Sequence, residues 1–126
     1  MKVAVTAEDK DAKSSPSPVF GRCPYFAIVD IGEEEVKFVE NDAINQRGGA
    51  GTAAAQVVGD EDVEAVVTGN LGPNAFRVLE QLSIDVYKAD LNRSICDNVQ
   101  MLKDGDLERI EEAVMTCLEE MPEEAL

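Results

Sequence analysis

Between residues 63 and 103 the chain twice runs through the same unit: a short apolar stretch, a turn, then apolar residues at helical spacing. The stretches are residues 63–68 (VEAVVT) and 84–88 (IDVYK). The first turn, residues 69–74, carries Pro73 where a helix would place its first residue. Ala75, Phe76, Leu79 and Leu82 then mark one buried stripe, and Ile95, Val99 and Leu102 mark another over residues 94–103. Strands that alternate with helices pair in parallel through right-handed crossovers, which need helices on the sheet faces. This pattern predicts an α/β domain.

The first half adds a different element. Residues 2–6 read as a strand, residues 25–31 (YFAIVDI) as a central strand, and residues 36–40 as its antiparallel return. A glycine-led segment, residues 48–51, opens a short helix that ends near Gly59, placed as a C′ glycine. Residues 7–19 hold Ser14, Ser15, Pro16, Ser17 and Pro18 and read as an exposed loop. Asp106 is a good N-cap, and Leu107, Ile110, Val114, Leu118 and Met121 space as one face of an acidic final helix over residues 106–121. The expectation is one domain over residues 1–126, with a mixed five-stranded sheet flanked by helices.

Composition then removes whole classes of function. Eleven Lys and Arg against 26 Asp and Glu give a net charge of −15, which argues against binding nucleic acid or anionic membranes. No histidine occurs, so His-based acid–base catalysis, Ser-His-Asp and Cys-His sites and His-ligated metals are excluded. The three cysteines, Cys23, Cys96 and Cys117, are odd in number and form no CxxC pair. They read as reduced thiols of a cytoplasmic protein, and neither a signal peptide nor a membrane-length apolar run is visible.

Three loop-to-helix junctions are candidate ligand sites: residues 47–52 (RGGAGT), 69–74 (GNLGPN) and 90–94 (DLNRS). Helix starts offer unpaired N–H groups and the positive end of the dipole, and open α/β sheets bind ligands at the carboxyl ends of their strands. Arg47, Gly48, Gly49, Gly51, Asn70, Gly72, Asn74 and Arg93 are the residues such a crevice would use. The alternative at each loop is a tight turn and nothing more. Residues 49–54 match G-x-G-x-x-A, but no strand runs into them and the acidic residues follow too soon for a dinucleotide fingerprint; no Walker A sequence occurs.

Cys23 follows Arg22 in a loop, which suits a lowered thiol pKa and soft-metal ligation; the alternative is an apolar filler at a strand entry. Cys96 falls in a helix first turn, where the dipole favours a thiolate; the alternative is packing beside Ile95 and Val99. Cys117 reads as core. The acid runs at residues 33–35, 60–62, 119–120 and 123–124 read as solvated surface, and Asp30 alone is embedded in an apolar stretch.

Taken in order, FGRCPYF (residues 20–26), GGAGTAAAQ (48–56) and VVTGNLGPNAF (66–76) resemble the dinitrogenase iron-molybdenum cofactor biosynthesis family, over residues 1 to about 112. The resemblance implies a ribonuclease H-like fold. It also implies a non-enzymatic binder or carrier of an iron-sulfur or iron-molybdenum-type cluster or its precursor, with cluster donor or acceptor proteins as partners. Cluster-binding relatives use exposed cysteine or histidine. The matched positions here are Cys23, with Arg22 beside it, and Cys96. Active nucleases of that fold carry an acid on the first strand, and residues 2–6 (KVAVT) have none. Two other functions stay open: a cofactor-free acidic interaction module, and an enzyme acting on an anionic small molecule.

Overall fold

A computed structural model of the chain describes residues 1–33, 35–41 and 50–110. The elements run β1 (Lys2–Ala7), a 3-10 turn (Phe20–Arg22), β2 (Tyr25–Asp30), β3 (Glu35–Glu40), α1 (Ala50–Gly59), β4 (Ala65–Thr68), α2 (Pro73–Gln81), β5 (Asp85–Lys88), α3 (Ile95–Asp104) and β6 (Arg109–Ile110). The strands form one mixed sheet in the order β3-β2-β1-β4-β5-β6. β1, β4 and β5 are parallel, while β2, β3 and β6 pair antiparallel with their neighbours.

Strict alternation along each strand sorts the core into two layers. Ala4, Phe26, Ile28, Val66 and Val86 face α1 and α2 and pack with Ala54, Ala55, Val58, Ala75 and Leu79. Val3, Val5, Ala27, Val29, Ala65 and Val67 face α3 and pack with Ile95 and Val99. The central strands are apolar on both faces because helices cover both.

The sheet has six strands among the described residues, one more than the pattern predicts. The sixth replaces the start of the expected final helix. Leu107 packs on the α3 layer and Ile110 on the α1–α2 layer. A spacing of three fits a helical stripe, but it also fits an extended segment that buries one residue on each face, and that solution holds here. Asp106 is accordingly no N-cap. Its N–H donates to Met101 O at 2.8 Å, and Gly105, at φ 80°, closes the end of α3. Residues 111–121 of the expected helix, Cys117 with them, lie outside the described residues.

Gly59 is the last residue of α1 and no C′ glycine. A Cβ there would stand 2.8 Å from Leu82 Cδ1, so close packing of the α1 and α2 ends explains it. The serine–proline segment is a loop exposed over most of residues 8–19, as expected, but it does not stand free of the sheet. It lies as a strap across the carboxyl edge of the sheet, with Pro16 and Ser17 buried. Proline lacks an N–H, but Ser17 stands between the two prolines and supplies one: it donates to Thr6 O at 2.9 Å, and Thr6 Oγ1 donates back to Ser17 O at 2.7 Å. Ser17 Oγ donates to Glu8 Oε2 at 2.7 Å.

Candidate functional site

The carboxyl ends of β1, β4 and β5 and the starts of α2 and α3 meet along one edge of the sheet, and the strap divides them. On the α1–α2 side, Phe20 N–H donates to Asn70 O at 3.0 Å and Asn70 N–H to Pro18 O at 2.6 Å, tying the 3-10 turn to the β4–α2 loop. Gly69 makes that approach possible, because a Cβ there would sit 2.4 Å from Pro18 O. A Cβ on Gly51 would lie 3.1 Å from Ala75 Cβ, so α1 and α2 converge at their first turns. Arg22, Gly51, Asn70, Gly72 and Asn74 therefore share one corner.

Among the described residues no side chain caps the start of α2. Gly72 gives no side-chain cap and Pro73 has no N–H, so the following first-turn N–H groups, of Asn74 and Ala75, carry no capping side chain. The Asn74 side chain turns instead to Arg77, accepting from its Nη1 at 3.3 Å. Beneath this corner ends β4, whose last residue, Thr68, is fully buried; its Oγ1 has no hydrogen-bond partner among the described residues.

The start of α3 is closed by the chain itself. Ile95 N–H donates to Ser14 O at 2.9 Å, Cys96 N–H to Ala12 O at 3.0 Å and Asp97 N–H to Ser94 Oγ at 3.0 Å. Arg93 pairs locally with Asp90 at 3.6 Å. Arg93 and the exposed Cys96 thus belong to the α3 side of the strap, apart from the open corner. Asn98, which the sequence reading passed over, fixes this side. Its amide is fully buried, accepts from Asp90 N–H at 2.7 Å and donates to Asp90 O at 3.0 Å and Ser94 O at 2.8 Å.

The expectation of an exposed, acidified Cys23 does not hold. Cys23 is wholly buried in the α1–α2 core layer, and its Sγ donates to Phe20 O at 3.3 Å. Burial pushes its pKa up from 9.0 to about 12, against the smaller lowering effect of nearby hydrogen-bond donors. Asn41, buried at the end of β3, donates from Nδ2 to Cys23 O at 2.8 Å and fixes the turn before β2. Arg22 itself is exposed. Arg47, Gly48 and Gly49 lie outside the described residues. Among the described residues no three Cys, Asp or Glu side chains converge to hold a metal ion, and no helix is long and apolar enough to cross a membrane.

An α/β sheet with an open helix start at its carboxyl edge is common to many folds, so the sequence match decides the family. Residues 1–105 match the family described as "Dinitrogenase iron-molybdenum cofactor". The chain belongs to that family. An uncharacterised protein of Methanocaldococcus jannaschii is 39% identical over 114 residues, covering 88% of this chain and 92% of that relative. The apo form of the orange protein from Desulfovibrio gigas superposes with a TM-score of 0.86 at 30% identity, over 89% of this chain and 94% of that one. A putative NifB protein from Thermotoga, assigned to the DUF35 family, superposes with a TM-score of 0.79 at 29% identity, over 91% and 97%.

Proposed function

We propose that this member of the family is a non-enzymatic carrier whose cargo is a preassembled, anionic metal–sulfur cluster or cluster precursor. The cargo sits at the corner between the 3-10 turn and the starts of α1 and α2, and passes to or from partner proteins in cofactor assembly. Family membership and the likeness to the orange protein and the NifB-like protein support a role in cluster handling. The observation that carries the reading to this corner is the uncapped start of α2 beside Arg22 and the start of α1, set against the self-capped start of α3. N–H groups at a helix start suit an anion.

The thiols do not suit direct ligation. A thiolate is the metal-binding form, and Cys23 is buried with its pKa pushed up to about 12. Cys96 lies on the far side of the strap, with no second thiol beside it among the described residues. The cargo therefore brings its own bridging sulfide, and the protein supplies hydrogen-bond donors and the guanidinium of Arg22.

The test is purification without oxygen, followed by metal and sulfide assays and a visible spectrum, then titration of the metal-free protein with tetrathiomolybdate as a simple molybdenum–sulfide anion. Binding at one equivalent, kept in Cys96→Ser and weakened at least tenfold in Arg22→Glu, is expected. A protein that takes up neither cluster nor tetrathiomolybdate, or one whose binding is lost with Cys96, overturns the reading.

A further inference from the structure

Thr68 is hard to explain by packing alone. It ends β4, between the two tied loops, and its hydroxyl is fully buried with no partner among the described residues. Buried hydroxyls are ordinarily hydrogen-bonded, and one left unmade is destabilising relative to valine of the same shape. Its neighbour in the sheet shows the contrast. Extending the β1–β4 register by one step sets Thr6 opposite Thr68, and Thr6 Oγ1 is satisfied by Ser17 O of the strap.

The position of Thr68 supplies a reason. Alternation along β4 sets it on the same face as Val66, the face covered by α1 and α2. Only residues 69–72 separate it from the first residue of α2, whose start is uncapped. The loop above it is held to the strap by Asn70 N–H to Pro18 O and Phe20 N–H to Asn70 O. For the hydroxyl to meet a ligand at the α2 start, this loop must yield.

We infer that Thr68 is a ligand-contacting residue of the α2-start site, its hydroxyl reserved for donation to a terminal oxo or sulfido atom of the bound anion. This rests on the carrier function proposed above and narrows it: the cargo must present an acceptor atom toward the carboxyl end of β4. The site is then a hydroxyl below and main-chain N–H groups beside it, an all-donor cradle.

The experiment compares wild type, Thr68→Val and Thr68→Ser by titration with tetrathiomolybdate and by thermal unfolding without it. Thr68→Val keeps shape and removes only the unpartnered hydroxyl. It is expected to bind at least tenfold more weakly while melting at the same temperature as wild type or higher. Thr68→Ser is expected to bind within threefold of wild type despite a lower melting temperature. A role in packing alone cannot give weaker binding together with equal or greater stability. If wild type binds and Thr68→Val binds within threefold of it, the assignment of Thr68 is wrong and the carrier function stands. If Thr68→Ser binds as weakly as Thr68→Val, the methyl group and not the hydroxyl matters, and the assignment again falls. If wild type does not bind, both fall.

Discussion

Asn98 offers the sharpest test of how the loop beside the strap is held. Its side chain makes four hydrogen bonds: two with Asp90 and one with Ser94 O at 2.7–3.0 Å, and a long one to O of the exposed Arg93 at 3.5 Å. Ser94 O keeps a second donor, the Asn98 N–H at 3.0 Å, so truncation to alanine strands two groups, the N–H and C=O of Asp90. A stranded buried backbone group costs about 1–3 kcal/mol, and Asp90 is half-buried, so water recovers part of each. Asn98→Ala should therefore cost about 2–4 kcal/mol. At ~4 °C per kcal/mol for a domain of this size, Tm falls by roughly 8–16 °C. Asn98→Asp keeps the shape but puts a carboxylate against two carbonyl oxygens. Its folded-state pKa is raised, so the folded state binds the extra proton. Stability is then greatest below the unfolded pKa and is lost as pH rises through the folded pKa. Thermal melts from pH 4.5 to 8, with amide exchange at Asp90, read both effects. A loss below about 0.5 kcal/mol in Asn98→Ala, or an Asn98→Asp melt that does not recover toward acid, refutes the account.

Four further outcomes follow from the core and the edge. Gly69→Ala drives a Cβ to within 2.4 Å of Pro18 O and should cost about 1–3 kcal/mol by chemical denaturation; an unchanged midpoint would mean that the strap is not held where it is described. Under native conditions near neutral pH, an alkylating reagent should modify exposed Cys96 and spare Cys23, as peptide mapping will show. Because the folded pKa of Cys23 is raised from 9.0 to about 12, its contribution to stability is complete below pH 9 and is lost as pH rises toward 12; denaturation midpoints in Cys23→Ala should lack that part of the alkaline decline. Lys37 and Glu61 bridge at 2.8 Å on the surface, and Lys37→Ala should change stability by less than ~1 kcal/mol in the same assay.

What the sequence shows and what it hides divide along physical lines. The strands and helices of residues 63–104 are legible because burial on two faces imposes periodicity, and Val66, Val67, Leu79, Ile95 and Val99 obey it. The Leu107–Ile110 spacing misleads because one interval satisfies two geometries. Cys23 misleads because residue type and an adjacent arginine suggest a reactive thiol, while its burial comes with that of Phe20 and Phe26, whose tilted rings lie 5.5 Å apart in the same core layer. Asn98 leaves no local trace at all. An asparagine on a polar helix face looks solvated until the Asp90 loop folds over it. The strap is the same case: serine and proline announce a loop, but which edge it crosses is a tertiary fact. The difference between the helix starts follows from it, since Ala12 and Ser14 cap α3 while no described side chain caps α2.

The charge of −15 poses a last question, because an anionic cargo approaches a chain that repels it. The proposed cradle resolves this by using dipoles, which bind at short range, together with the guanidinium of Arg22. Repulsion acts at long range. The screening length is about 8 Å at physiological ionic strength and about 30 Å at 0.01 M, so salt removes the distant acids before it weakens contacts at the site. Binding of tetrathiomolybdate should therefore strengthen, or its association rate rise, as sodium chloride increases from about 10 to 150 mM. Sites built on clustered cations behave in the opposite way and lose affinity steadily with salt. A steep loss over this range would show that cations, not main-chain donors, hold the cargo. The site would then have to be sought among the lysines and arginines.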